Sequence, residues 1–160
     1  MSHRLAVRLI VLPASVFAVI AVGSTQAMAR STSVSGRLTS TAVTGPTCTS
    51  VIQMCTAGFL TGRLKGQFAF TATSLIPTTD TPTTATVAYT GDAVIRTRNG
   101  QLFCKDTGAL QTTGSGAFAS VCVVTGGTGA FAGATGHLQL VGTFAGGTGT
   151  ARYQGSLTTP

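Results

Sequence analysis

The chain has no glutamate, and its 160 residues include only three aspartates, Asp80, Asp92 and Asp106. Histidine is almost missing too, with His3 and His137 the only two. Few groups remain for paired-carboxylate or histidine-assisted catalysis. A zinc site is excluded, because no Cys-x-x-Cys spacing occurs and His137 is the single histidine beyond residue 29. Strong helix formers are sparse, while Thr, Gly, Ala, Val and Ser dominate, which favours strands over helices. Gly126-Gly127-Thr128-Gly129 lacks the Lys-Ser/Thr ending of a phosphate loop. No metal and no cofactor are implied.

One long apolar run is present, and it stands at the N-terminus. Met1 to Arg8 carries Arg4 and Arg8 without an acid, Leu9 to Gly23 is apolar, and Ala27-Met28-Ala29 offers small residues for a signal peptidase. The run falls short of the roughly 20 residues of a spanning helix and contains Pro13. Residues 1–29 therefore read as a cleaved signal peptide, residues 30–160 as one exported domain with no integral membrane segment. Export places Cys48, Cys55, Cys104 and Cys122 in an oxidising compartment, where an even count implies disulfides. Past Ala29 the charge is eight basic residues against three acidic ones, net +5. A basic balance suits an anionic partner such as an envelope. The basic residues are scattered along the chain, so solubility is the preferred reading and no nucleic-acid partner is expected.

Apolar residues alternate along the chain, which argues against disorder. Leu60, Gly62, Leu64, Gly66, Phe68, Phe70 and Ala72 form one face of an apparent strand, with Thr61, Arg63, Lys65, Gln67, Thr71 and Thr73 on the other. Val34, Gly36, Leu38 and Ala42 repeat the pattern near the start, as do Val87, Tyr89, Ala93 and Ile95 further on. Around Gly146-Gly147 a hairpin puts Leu138, Leu140, Phe144, Tyr153 and Leu157 on a common face. Two loops interrupt the pattern, Val43 to Thr56 and Ser74 to Thr84. The count is about eight strands with no helix. A closed antiparallel barrel removes exposed edges and suits the strand-interior glycines.

Turn chemistry sets the expected registers. Asn99-Gly100 as a two-residue turn pairs Arg98 with Gln101 and Ile95 with Cys104. A reversal around Thr113 then puts Cys104 opposite Cys122 and Asp106 opposite Ala93 and Ser120. Directly opposed residues stand at disulfide distance, so Cys104–Cys122 is the expected cross-strand bridge. By elimination Cys48–Cys55 closes the first loop.

The stretch from Gly126 through Gly127, Thr128, Gly129, Phe131 and Ala134 to Gly136 resembles the GGTG-x-F-x-x-A-x-G signature of the allene oxide cyclase/dirigent-like barrels. Gly149 to Gly155 is similar to the closing strand of bacterial members. The resemblance implies an eight-stranded antiparallel barrel, often dimeric or trimeric, with a mostly apolar central cavity. Allene oxide cyclases use a cavity glutamate, which this chain lacks, so the resemblance bears on fold more than on activity. Read physically, the glycines permit a tight reversal and Phe131 caps one barrel end.

Tyr89, Asp106, Ser120 and Tyr153 fall on inward faces and are the candidate cavity residues. Asp106 is the one candidate general acid or base; the preferred reading has Lys105 to Gly108 forming a bend that turns it to water. Phe103, Val121 and Val123 point outward, with Phe103 opposite Val123, as a candidate oligomer patch. The function expected is binding of a small apolar ligand, or scaffolding, without catalysis. A cavity isomerase or cyclase and a cationic envelope-associated protein are the alternatives.

Overall fold

Strand-rich composition and period-two alternation produce the expected architecture in full. The computed structural model describes residues 30–77 and 86–160. The proposed signal peptide, Asp80 and most of the Thr/Pro-rich loop lie outside the described residues. Eight strands run in chain order: β1 Arg30–Val43, β2 Cys55–Leu60, β3 Gly66–Pro77, β4 Thr86–Thr97, β5 Gly100–Gln111, β6 Ala117–Gly127, β7 Thr135–Ala145 and β8 Thr148–Thr159. Each pairs antiparallel with its neighbour in sequence, and β8 pairs with β1 to close the barrel. Single 3-10 turns at Gly45–Thr47 and Gly129–Phe131 are the only helical segments among the described residues.

Three local departures from the sequence reading have simple causes. The alternating run from Leu60 to Thr73 is a reversal, not one strand: β2 ends at Leu60, Gly62 adopts φ +88°, and β3 begins at Gly66. Leu64 folds back into the core at 3 % exposure, so the alternation continues through the turn. Periodicity reports which side chains are buried, not whether the backbone is straight.

The β4–β5 turn consists of Arg98 and Asn99, because Thr97 pairs with Gly100. The Thr97 hydroxyl closes it, donating to the Gly100 carbonyl at 3.0 Å and accepting from the Asn99 N–H at 3.1 Å. Ile95 consequently faces Leu102, and Ala93 faces Cys104. Partners shift by two residues, so every inward side chain stays inward.

The β5–β6 pair is displaced likewise. Leu110 faces Phe118, Cys104 faces Val124, and Asp106 faces Cys122 on one side and Gly91 on the other. A bulge between Phe103 and Cys104 adds to the offset and brings Phe103 opposite Gly126, not Val123. The Cys104–Cys122 disulfide forms as expected, but diagonally across the ladder, with Cα atoms 5.4 Å apart. The Cys48–Cys55 disulfide also forms.

The barrel has two unlike ends. At one, the segments 61–65, 98–99 and 128–134 close over Leu64, Ile95, Leu102, Val124, Ala134, Tyr153 and Leu157, with Phe131 packed against that core. The glycine-rich segment is tied to the β4–β5 hairpin: Thr128 N–H donates to Gln101 O and Ala130 N–H to Asn99 O, both at 2.8 Å. Gly129 is at φ +61°, and a side chain there would also run into the Asn99 carbonyl. The motif is thus a structural cap. At the other end the described connections are residues 44–54, 112–116 and 146–147, and there the described residues leave a space inside the barrel.

Candidate functional site

Inward positions towards this second end line a cavity of about 170 Å³. Its walls are mostly apolar. Leu38, Phe68, Phe70, Leu110, Phe118, Leu140 and Phe144 come from five different strands, and Met54 and Gln53 come from the 44–54 loop. The Cys48–Cys55 bridge holds that loop, and Ser50 anchors it: its hydroxyl donates to Ala72 O at 2.7 Å, and Met54 O accepts from the Ala72 N–H. Phe70 and Tyr89 meet edge to face, ring centres 5.6 Å apart. An engineered apolar cavity of roughly 150 Å³ accepts benzene, so this space matches one aromatic ring or a short alkyl chain.

A polar group interrupts the apolar wall at one place. Gly108 lies between Tyr89 on β4 and Ser120 on β6. A side chain on Gly108 would collide with the Tyr89 hydroxyl and the Ser120 Cβ, so the missing Cβ is what lets the two converge. Asp106 is the next inward residue along β5, across from Gly91, and only 5 % exposed. The expectation that a bend turns Asp106 to water is therefore overturned. Lys105, its outward neighbour, instead pairs with Asp92 on the barrel surface. Asp106 Oδ1 and Ser120 Oγ have no hydrogen-bond partner.

Burial sets the electrostatics. Desolvation raises the Asp106 pKa above the usual carboxylate value, and the nearby Ser120 hydroxyl and Thr107 N–H offset only part of the rise. Tyr89 is pushed up to about 12, first by burial and then by the Asp106 charge. Among the described residues no lysine, arginine or histidine lines the cavity.

Of the four cavity candidates, Tyr89, Asp106 and Ser120 come together and Tyr153 does not. Tyr153 belongs to the packed end, where its hydroxyl accepts from Leu64 N–H and donates to Thr61 O. Alternation correctly turned it inward but says nothing about depth along the barrel. The loop residues Gln53 and Met54 went unnoticed because an irregular segment carries no periodic signal. Phe103, Val121 and Val123 are exposed as expected, at 37 %, 42 % and 51 %. Among the described residues no cluster of three His, Cys, Asp or Glu side chains could hold a metal, and no helix is long and apolar enough to cross a membrane. No protein-family model, no curated protein and no solved structure matches the chain.

Proposed function

We propose that this is an exported binding barrel whose open end takes one small, mostly apolar molecule, without catalysis. The observation that carries the reading is the cavity: a ring-sized apolar space lined by five aromatic side chains, at one end only of a barrel whose other end is packed shut. Two disulfides support the exported setting, and the eight-stranded barrel is compatible with the allene oxide cyclase/dirigent-like resemblance. Calorimetric titration with toluene and short fatty acids tests the reading. Saturable one-to-one binding is expected, and it should weaken in Ala42→Leu, which narrows the mouth at an exposed rim position. A well-folded protein that binds none of them would end the proposal. A cavity isomerase gains support from the inward Asp106, and turnover abolished by Asp106→Asn would favour it over pure binding.

Envelope attachment is favoured by a different observation. Basic residues scattered in sequence gather at the packed end: Lys65 and Arg98 flank the Gly66–Thr97 pair, Arg96 faces Gln67, and Arg63 is in the same connection. None of the four has an acidic partner among the described residues, where the only ion pair is Lys105–Asp92. Arg96 also borders an outer-wall hollow of about 620 Å³ beside exposed Phe59. Retention on an anionic matrix, lost at moderate salt and in Lys65→Ala/Arg98→Ala, tests this reading.

A further inference from the structure

We infer that the cavity's ligand is a small organic ammonium cation, its charged nitrogen held by Asp106, Ser120 and Tyr89 and its ring or alkyl body by the aromatic walls. The inference rests on the binding reading above and adds the chemical class of the ligand.

Three oxygen-bearing side chains converge where the wall turns polar, and two of them leave an oxygen without a partner among the described residues. Asp106 Oδ1 and Ser120 Oγ lack any hydrogen-bond partner, although Asp106 is only 5 % exposed. Buried polar groups normally have partners, and an isolated buried carboxyl is among the costliest to leave alone. Among the described residues nothing supplies the missing charge. Asp106 is flanked across its ladders by Gly91 and Cys122, and the cavity lining holds no cationic side chain. Lys105 is turned outward to Asp92, and the other described basic residues are exposed on the outer wall or at the packed end.

The geometry discriminates between ligand classes. A hydroxyl offers one donor, whereas a primary ammonium offers three and can serve all three oxygens. A carboxylate ligand would be repelled by Asp106. A bare metal ion would find one carboxylate and two hydroxyls among apolar walls, a poor donor set. Phe68, Phe70, Tyr89, Phe118 and Phe144 line the same space, and aromatic walls favour a desolvated cation. The volume limits the body to about one ring.

Benzylammonium, benzyl alcohol, toluene and benzoate share one ring and differ only in the head group. With the oxidised protein at neutral pH, benzylammonium is expected to bind roughly ten- to hundredfold more tightly than benzyl alcohol, the range of a charged hydrogen bond. Asp106→Asn should abolish that preference, read as the ratio of the two affinities within the same variant. A measurement on the unaltered protein guards against a variant that fails to fold. Benzylammonium affinity should fall as pH is lowered through the Asp106 titration, while toluene affinity stays flat. Tyr89 is the only other titratable group among the described residues of the lining, and it titrates far above this range. Equal affinity for the amine and the alcohol, or a preference that survives in Asp106→Asn, overturns the inference and leaves the apolar binding site standing. Failure of all four compounds to bind overturns both.

Discussion

The Tyr153 hydroxyl on β8 accepts a hydrogen bond from the Leu64 N–H at 3.0 Å, joining residues 89 positions apart at the packed end of the barrel. The same hydroxyl donates to Thr61 O at 2.8 Å. It thereby fastens the irregular 61–65 connection, together with the Thr61 and Arg63 N–H groups, which donate to Arg37 O and Ser35 O on β1. Close by, Gly36 gives the space: a methyl there would meet the Thr61 carbonyl and the Tyr153 ring. Tyr153→Phe leaves a buried N–H and a carbonyl without their partner and should cost about 1–3 kcal/mol. Denaturant unfolding measures the loss, and toluene affinity should not change, because Tyr153 is outside the cavity lining. A variant as stable as the parent would show that water replaces the hydroxyl.

Asp106 should make stability fall between acid and neutral pH. Burial raises its pKa in the folded state, so the folded protein holds this proton more tightly than the unfolded chain. The resulting stabilisation is complete below the unfolded value of about 3.9 and is lost as pH rises through the folded value. Asp106→Asn does not titrate. Its melting temperature should match the parent near pH 3 and exceed it at neutral pH, where the parent's carboxyl carries its charge in the buried site. Parallel curves at all pH values would mean that Asp106 titrates alike in both states.

Tyr89 adds an alkaline arm by the same sign. Its folded value is pushed up to about 12, so its contribution is present below the unfolded value of about 10 and is lost as pH rises towards the folded one. Tyr89→Phe should flatten the melting curve above about pH 10. An unchanged alkaline slope would assign the loss to other groups.

The two disulfides should divide their roles. Cys104–Cys122 spans 18 residues and Cys48–Cys55 spans 7. Loop-closure entropy gives about 3 kcal/mol for the longer and about 2 kcal/mol for the shorter. Only the shorter one holds the loop that supplies Gln53 and Met54 to the cavity. Replacing Cys48 and Cys55 by serine should weaken ligand binding more than it lowers the melting temperature. Replacing Cys104 and Cys122 by alanine should do the reverse. Equal effects on both readouts would mean that the loop keeps its shape without the bridge.

The outward Val121 and Val123 give the oligomer proposal its test. Both are exposed on β6, and Phe103 is on the adjacent β5. Light scattering at micromolar concentration should show a self-associated protein, and Val121→Lys/Val123→Lys should convert it to a monomer. A parent protein that is already monomeric removes the patch from consideration as a self-interface.

Period-two alternation placed Val34, Leu38, Phe68, Phe70, Tyr89, Ile95, Leu138, Leu140 and Leu157 on inward faces, and all are buried. The Gly146-Gly147 hairpin was legible to the residue, with Ala145 paired to Thr148. Both disulfides could be read from alternation and elimination, because a diagonal partner shares its face with the directly opposed one. For the same reason, registers misplaced by two residues at Asn99-Gly100 and Thr113 did no damage to the inward set.

Sequence alone therefore determined the strand-rich class, the barrel's inside and outside, and the cysteine pairing, because each depends on local alternation and turn chemistry. Tertiary structure alone decided depth. Which inward residues fill the packed end and which line the cavity depends on how far each is along its strand once the barrel has closed. Tyr153 and Asp106 both alternate inward. One became a clamp and the other a carboxyl with an unpartnered Oδ1, because Tyr153 reaches the backbone of the 61–65 connection and Asp106 is turned towards the cavity, across its ladders from Gly91 and Cys122.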